Sequence, residues 1–195
     1  MSKIRLGILG SGKGSNFRAI LEAIQAGEID AEVAVVLSDV PGAGILQYAA
    51  EAGLRAEEIV EPKFRTRLSP EVEEGLVRTL KEAGVDLVVL AGYMRMVKPT
   101  TLDAFPRRVI NIHPSLLPKF PGLEAWKQAL EAGESVTGCT VHYVDSGMDT
   151  GEIIAQESVP VLPDDTAASL HARIQVAEHH LYPAIVKRFA DGELP

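Results

Sequence analysis

Cysteine is almost absent: Cys139 stands alone in 195 residues, so no intramolecular disulfide can staple the fold. No apolar run approaches the roughly 20 residues that span a bilayer, and no secretory leader is legible at the N-terminus. A cytoplasmic protein with no membrane partner is expected. Positive charge is in deficit, with 19 Lys and Arg against 27 Asp and Glu, and the net charge of −8 offers no general attraction for nucleic acid. A small-molecule partner fits better. Metal chemistry lacks its usual signatures, since neither a His-Glu-x-x-His order nor a cysteine pair occurs, and no metal is expected. Repeats, linkers and low-complexity stretches are missing too. The length suits one large core, so residues 1–195 are expected to form a single domain.

What is present is an alternation of β-like apolar runs and helical periods, the pattern of a parallel sheet covered by helices. Ile4 to Leu9 reads as the first strand, and Phe17, Ile20, Leu21 and Ile24 follow at helical spacing. Val33 to Leu37 completes a βαβ unit. Ile45 to Ala52 predicts a short helix and Arg55 to Val60 a third strand. Ser69-Pro70 starts a stronger helix, with a cap residue and a proline at the first position, burying Val72, Leu76, Val77 and Leu80. Val85 to Leu90, punctuated by Gly84 and Gly92, should lie near the sheet centre. Later the character changes. Ala125 to Ala132 predicts a helix, and Val136 to Val144 and Glu152 to Val161 an antiparallel strand pair around Gly147. A last helix runs from a cap at Asp165 or Thr166 through Leu170, Ile174, Ala177 and Leu181, where Pro183 should kink or break it. The expected fold is α/β: a Rossmann-like, mostly parallel sheet with helices on both faces and an antiparallel C-terminal strand pair.

The most informative segment is Asn111-Ile112-His113-Pro114-Ser115-Leu116-Leu117-Pro118, followed by Lys119-Phe120-Pro121-Gly122. Val109 and Ile110 lead in as a short strand, and the prolines then forbid regular structure. An amide and an imidazole two residues apart on an extended backbone share a face, so Asn111 and His113 can converge on one reacting atom. Taken alone, the pair reads first as a turn cap and a packed strand-end histidine.

A second segment, Gly10-Ser11-Gly12-Lys13-Gly14-Ser15-Asn16, lies between a strand and a helix and can present backbone amides to an anion. It fails as a Walker A loop because Gly14 stands where the magnesium-binding hydroxyl belongs. As a dinucleotide fingerprint it lacks the third glycine, Ser15 taking its place, although Asp39 ends the second strand where a ribose-binding acid would sit. A flexible turn with no ligand is the plain alternative. Ser15 and Asn16 at the helix start favour a terminal phosphomonoester.

Asp145-Ser146-Gly147-Met148-Asp149-Thr150-Gly151 is turn-forming, and nothing local shows Asp149 reaching His113. If folding brings them together, the carboxylate would orient the imidazole and favour its charged form. His142, inside a strand, reads as a core or ligand-wall histidine, and His171, His179 and His180 fall on the last helix. Trp126 and Met94 read as packing residues, and Arg67 as a solvated charge that an anionic substrate could use.

These motifs taken in order make the chain closely similar to the phosphoribosylglycinamide formyltransferase family of purine biosynthesis. The matching pieces are Gly12 to Asn16, Leu90 to Arg95, Asn111 to Pro121, Thr137 to His142, Met148 to Gly151, and Gln175 to Pro183, which together cover nearly the whole length. The resemblance implies that Asn111, His113 and Asp149 act together at the formyl carbon. It further implies a ribonucleotide site at Gly14, Ser15, Asn16 and Glu178, the last meeting the glycinamide. Folate contacts would fall on Arg67, with Arg65 close by, on Met94, Arg95, Met96 and Val97, on Asn111, and on Asp145, Ser146, Gly147, Met148 and Asp149. Residues 1–100 would then be the phosphate-binding half and 101–195 the catalytic and folate-binding half. The implied substrates are glycinamide ribonucleotide and 10-formyltetrahydrofolate, and a homodimer is compatible.

Two relatives share the folate half. Methionyl-tRNA formyltransferase would be expected to carry a further C-terminal domain and a basic surface. Formyltetrahydrofolate deformylase, a hydrolase, would carry an N-terminal regulatory domain, whereas the first strand here begins at Ile4. A non-catalytic Rossmann-type nucleotide-binding module would explain the glycine loop but leave Asn111, His113 and Asp149 idle.

Overall fold

The run Ile4–Leu9, apolar apart from Arg5, forms β1, which in the computed structural model, describing residues 3–195, lies between two parallel neighbours. Those neighbours are β2 (Ala31–Ser38) and β4 (Leu87–Leu90), equally apolar because both of their faces are covered. Outside them lie β3 (Ala56–Glu58) and β5 (Val109–His113), also parallel. The sheet closes with β6 (Val136–Tyr143) and β7 (Ile153–Pro160), which run antiparallel. Its order is β3-β2-β1-β4-β5-β6-β7, so β4 is central, as its Val- and Leu-rich sequence predicts. Only three residues of the predicted Arg55 to Val60 strand pair; they form the sheet edge, and Val60 faces solvent.

Helices cover both faces, as the alternating pattern requires. On one face Phe17 and Ile20 of α1 (Ser15–Gln25) and Ile45 and Ala49 of α2 (Gly44–Glu51) pack on Leu6, Ile8, Val36 and Val89. Ala167–Ala190, numbered α6 in chain order, adds Leu170, Ile174, Tyr182, Ile185, Val186 and Phe189 to that core. On the other face Leu76 and Leu80 of α3 (Pro70–Glu82) and Phe105, which ends α4 (Pro99–Ala104), pack on Leu9, Val35, Val88 and Val109. The remaining helix, α5 (Ala125–Glu131), follows the proline-rich loop, and its Trp126 stacks flat on His171 of α6 at 3.7 Å.

Three local expectations are corrected. Pro183 does not end the helix: α6 runs through it for 24 residues. An interior proline costs roughly 3 kcal/mol, but Tyr182, Ile185, Val186 and Phe189 are buried around it, each contributing about 1.5–3 kcal/mol. Ser69 sits at the N-cap of α3 in extended conformation, yet its side chain makes no capping bond. On the same helix Val77 is only half-buried, and the buried face is completed by Glu73. By contrast Thr166 caps α6 through a reciprocal box with Ser169.

The chain reverses direction of winding between β1 and β4, so the loops leaving their C-terminal ends part and open a crevice there. Gly10 to Gly14 leaves β1 at that edge, Asp39 follows β2, Ala91 to Val97 follows β4, and His113 ends β5. These polar segments therefore start on one rim, whereas the Asp145 to Gly151 turn joins β6 to β7.

Candidate active site

Glycine 14 holds the left-handed φ of 79° just before α1, where an added Cβ would strike Ile45 at 2.8 Å. The approach lets the loop turn tightly into the helix, which starts with no side-chain cap and so presents its first amides unblocked. Asn16 in that first turn is 9% exposed; its Nδ2 donates to Glu178 Oε2 at 2.9 Å, while its Oδ1 meets no partner within the protein. A buried acceptor without a donor is the mark of a ligand seat. Burial pushes the Glu178 carboxyl up to about 7, against the opposing pull of the Asn16 bond. One turn further along α6, the buried Tyr182 hydroxyl lies within donating distance of the Leu90 and Ile110 carbonyls, at 2.8 and 3.1 Å. That contact fixes the register of Glu178 against the rim. The structure thus gathers Gly14, Ser15, Asn16 and Glu178.

At the neighbouring strand end, the β5–β6 register pairs Asn111 with His142 and His113 with Thr140, putting all four side chains on one face. Thr140 ties down the proline loop by donating to the Ser115 carbonyl at 2.6 Å and accepting from Leu117 N at 3.1 Å. The loop then returns Phe120, whose carbonyl accepts from His113 Nε2 at 2.8 Å. Asp149 arrives from the turn between β6 and β7, which folds back over this face, and holds a left-handed φ of 55°, a conformation aspartate tolerates better than most residues. Its Oδ2 accepts from Gly122 N at 2.8 Å and lies 3.4 Å from His113 Nδ1, while Oδ1 is 3.7 Å from His142 Nε2. Both nitrogens of His113 therefore face oxygen acceptors, so each has a partner for a proton.

His142 belongs to this group, a part that the sequence reading as a wall residue missed. Its Nδ1 donates to the Tyr143 carbonyl at 2.8 Å, and burial lowers its pKa against the opposing influence of that bond. A neutral ring with its proton on Nδ1 leaves Nε2 to accept, and Asn111 Nδ2 supplies the donor at 3.2 Å. The orientation of the Asn111 amide is fixed in this way. The signal available in the sequence was the shared alternation of Asn111-His113 and Thr140-His142 on two paired strands. Cys139 lies next to them in sequence, but burial pushes its thiol up to about 12, so it is no thiolate nucleophile.

Along the rest of the rim, Arg67 and Met96 form a parallel bridge, with Met96 N donating to the Thr66 carbonyl, so the Arg67 segment runs beside Met94 to Val97. The Arg67 guanidinium lies over the Phe64 ring at 4.4 Å, and Arg65 is exposed. Met94 is 59% exposed, which corrects its reading as a packing residue. Val97 shares a buried cluster with Leu90 and with Val144 at the root of the Asp145 turn. Within that turn Asp145 Oδ1 accepts from Gly147 N and Thr150 Oγ1, leaving Ser146 and Met148 on the outside. The dinucleotide alternative is corrected as well: Asp39 is not free to hold a ribose, because Arg95 Nε at 2.6 Å and Ser11 Oγ at 2.5 Å already occupy its carboxylate.

Known proteins resemble this chain over nearly its whole length. A family model described as formyl transferase matches residues 4–186. The phosphoribosylglycinamide formyltransferase of Bacillus subtilis is 41% identical over 184 residues, 94% of this chain and 93% of its own length. The trifunctional purine biosynthetic protein adenosine-3 of Drosophila pseudoobscura is 47% identical over 97% of this chain, which spans 14% of that much longer protein. Among solved structures, glycinamide ribonucleotide transformylase 1 from Symbiobacterium toebii superposes with a TM-score of 0.92 at 48% identity, covering 98% of this chain and 89% of that one.

Proposed function

The chain belongs to the formyl transferase family, and we propose that it moves the formyl group of 10-formyltetrahydrofolate to the primary amine of glycinamide ribonucleotide. The observation that carries this reading is the meeting of Asp149 with His113 across 36 positions of sequence, beside Asn111. That constellation suits acyl transfer to an amine. Asn111, with one Nδ2 hydrogen left after its bond to His142, directs an N–H to the oxygen that becomes negative when the amine adds to the formyl carbon, and His113 joins it as a donor by exchanging its Phe120 carbonyl partner for that oxygen. Preorganised donors of this kind are each worth about 2.7–4 kcal/mol at other acyl-transfer centres. The new bond joins the amine nitrogen to carbon, the bond from carbon to the folate nitrogen breaks, and one proton must pass from the former nitrogen to the latter. Asp149 keeps His113 oriented and assists that transfer, directly or through one water. No covalent enzyme intermediate is needed.

The phosphate of the ribonucleotide is assigned to the amides of Gly14 and Ser15 at the start of α1, where the helix dipole favours an anion. The unpartnered Oδ1 of Asn16 and the Glu178 carboxyl then remain for hydroxyl or amine donors of the same ligand. Folate is assigned to the rim formed by Arg67, Met94, Arg95, Met96 and Val97 and by the Asp145, Ser146, Gly147, Met148 and Asp149 turn, its reactive end at Asn111. Among the described residues no helix is long and apolar enough to cross a membrane.

The test mixes the protein with 10-formyltetrahydrofolate and glycinamide ribonucleotide and follows tetrahydrofolate release. Release that depends on the ribonucleotide is expected. Equal release without an acceptor would identify a hydrolase, and release only with charged initiator tRNA would identify the tRNA-directed relative.

A further inference from the structure

The reaction outlined above leaves Asp39 without a role, yet it is among the best-held carboxylates of the molecule. It follows β2 on the rim, its side chain is 6% exposed, and it takes two donors from two different loops. Ser11 Oγ donates to Oδ1 from the glycine loop, and Arg95 Nε donates to Oδ2 from the segment after β4. Ser11 Oγ in turn accepts from Met94 N at 2.9 Å, and Ser11 N donates to the Gly92 carbonyl at 3.0 Å. From the other side of the same guanidinium, Arg95 Nη1 donates to the carbonyls of Phe64 and Arg67. A single carboxylate therefore joins three segments: the glycine loop, Tyr93 to Val97, and Phe64 to Arg67.

We propose that Asp39 is a positioning residue that clamps the formyl-donor rim to the phosphate loop, with Arg95 acting as its strut and not as a ligand through its own charge. The proposal rests on the assignment of folate to that rim. Its physical basis is charge compensation. The Arg95 side chain is only 10% exposed, so without Asp39 its charge would be buried with no counterion and two carbonyls alone would hold it. The guanidinium would turn outward to water, releasing Arg67 and Met94 together. The far end of the segment is held separately, because the buried Glu73 accepts from Lys98 N and Thr101 Oγ1, both at 2.8 Å. Loss of Asp39 should therefore loosen residues 93–97 without freeing α4.

The experiment compares Asp39→Ala and Asp39→Asn with the wild type by steady-state kinetics and by amide hydrogen exchange of the unliganded protein. For Asp39→Ala the KM for 10-formyltetrahydrofolate is expected to rise about tenfold or more, with kcat preserved within about threefold. Exchange at the Met94 and Met96 amides should quicken about tenfold while α6 keeps its protection. Asparagine keeps one oxygen to accept from a single loop, sets an amide NH2 against the other donor and supplies no counterion, so Asp39→Asn should restore little of the KM. Wild-type exchange and wild-type KM in Asp39→Ala would overturn the proposal, as would a loss confined to kcat. Should the wild type transfer no formyl group while exchange still quickens in Asp39→Ala, the assigned reaction falls and the clamp stands. If Asp39→Ala does not fold, Ser11→Ala serves for the exchange measurement, where an unchanged Met94 amide would be equally fatal.

Discussion

Replacing Glu178 with glutamine should make the protein more stable, and only above a definite pH. The carboxyl is buried against Asn16 and desolvation lifts it from the ordinary glutamate value of 4.5 to about 7. Below pH 4.5 it is protonated in both the folded and the unfolded chain, so it contributes no pH dependence. Between about 4.5 and 7 the unfolded chain gives up the proton and the folded one keeps it, so the folded state binds more protons and stability falls as pH rises. Past pH 7 the group ionises in both states, and the penalty has reached its full value of about 3 kcal/mol, at ~1.36 kcal/mol per pH unit. Glutamine nearly matches the shape, keeps an oxygen to accept from Asn16 Nδ2, and has no proton to lose. Urea denaturation of the two proteins from pH 4 to pH 8.5 measures the difference directly. The variant's advantage should grow from near zero at pH 4 to about 3 kcal/mol at pH 8, or roughly 2–4 °C of Tm for each kcal/mol in a chain of this size. Parallel stability curves would refute the reasoning, since they would mean that Glu178 titrates alike folded and unfolded. Bound ribonucleotide should change the comparison, because a ligand donor at Asn16 and Glu178 would stabilise the ionised form.

Other perturbations separate the parts of the site. Asp149→Asn should fold normally and lower kcat by roughly 10²-fold or more, the usual range for a positioned acid-base group; a variant of near wild-type kcat would remove Asp149 from the chemistry. Ser15→Asp places a negative charge at the start of α1 and should weaken ribonucleotide binding on the order of tenfold while leaving 10-formyltetrahydrofolate binding unchanged. Separate titrations would show it, and equal loss of both ligands would contradict the phosphate assignment. Tyr182→Phe deletes the hydroxyl that lies within donating distance of the Leu90 and Ile110 carbonyls and should destabilise by about 1–2 kcal/mol in urea melts. An unchanged melting midpoint would show that this contact does not hold α6 to the rim.

Local periodicity carried most of the architecture. The strands at Ile4–Leu9 and Leu87–Leu90 and the helices at Ser15–Gln25 and Pro70–Glu82 are legible because their apolar residues recur at a fixed spacing that a buried face demands. Reading failed where tertiary packing outweighed a local preference. Pro183 inside α6 is one case, since the surrounding side chains are anchored in the core. The single-turn α4 is another: six residues show little periodicity, and its amino end is completed by Glu73 from a different helix, 25 positions from Lys98 and 28 from Thr101.

For the site, the sequence by itself determined which groups are available and how the nearest ones lie: Asn111 and His113 share a face because a strand alternates, and the amides after β1 face outward because a helix begins there. Resemblance in motif order added the expected roles. Only the tertiary structure decided the rest. It brought Asp149 to 3.4 Å from His113, recruited His142 to orient Asn111, set Glu178 against Asn16 across 162 positions, and turned Asp39 from a candidate ribose ligand into the partner of Arg95. The reason is physical: hydrogen bonds and charge pairs between side chains act over about 3–4 Å. Local patterning constrains such distances only within a helix turn or a strand, and between distant segments they follow from the strand order and register of the whole sheet.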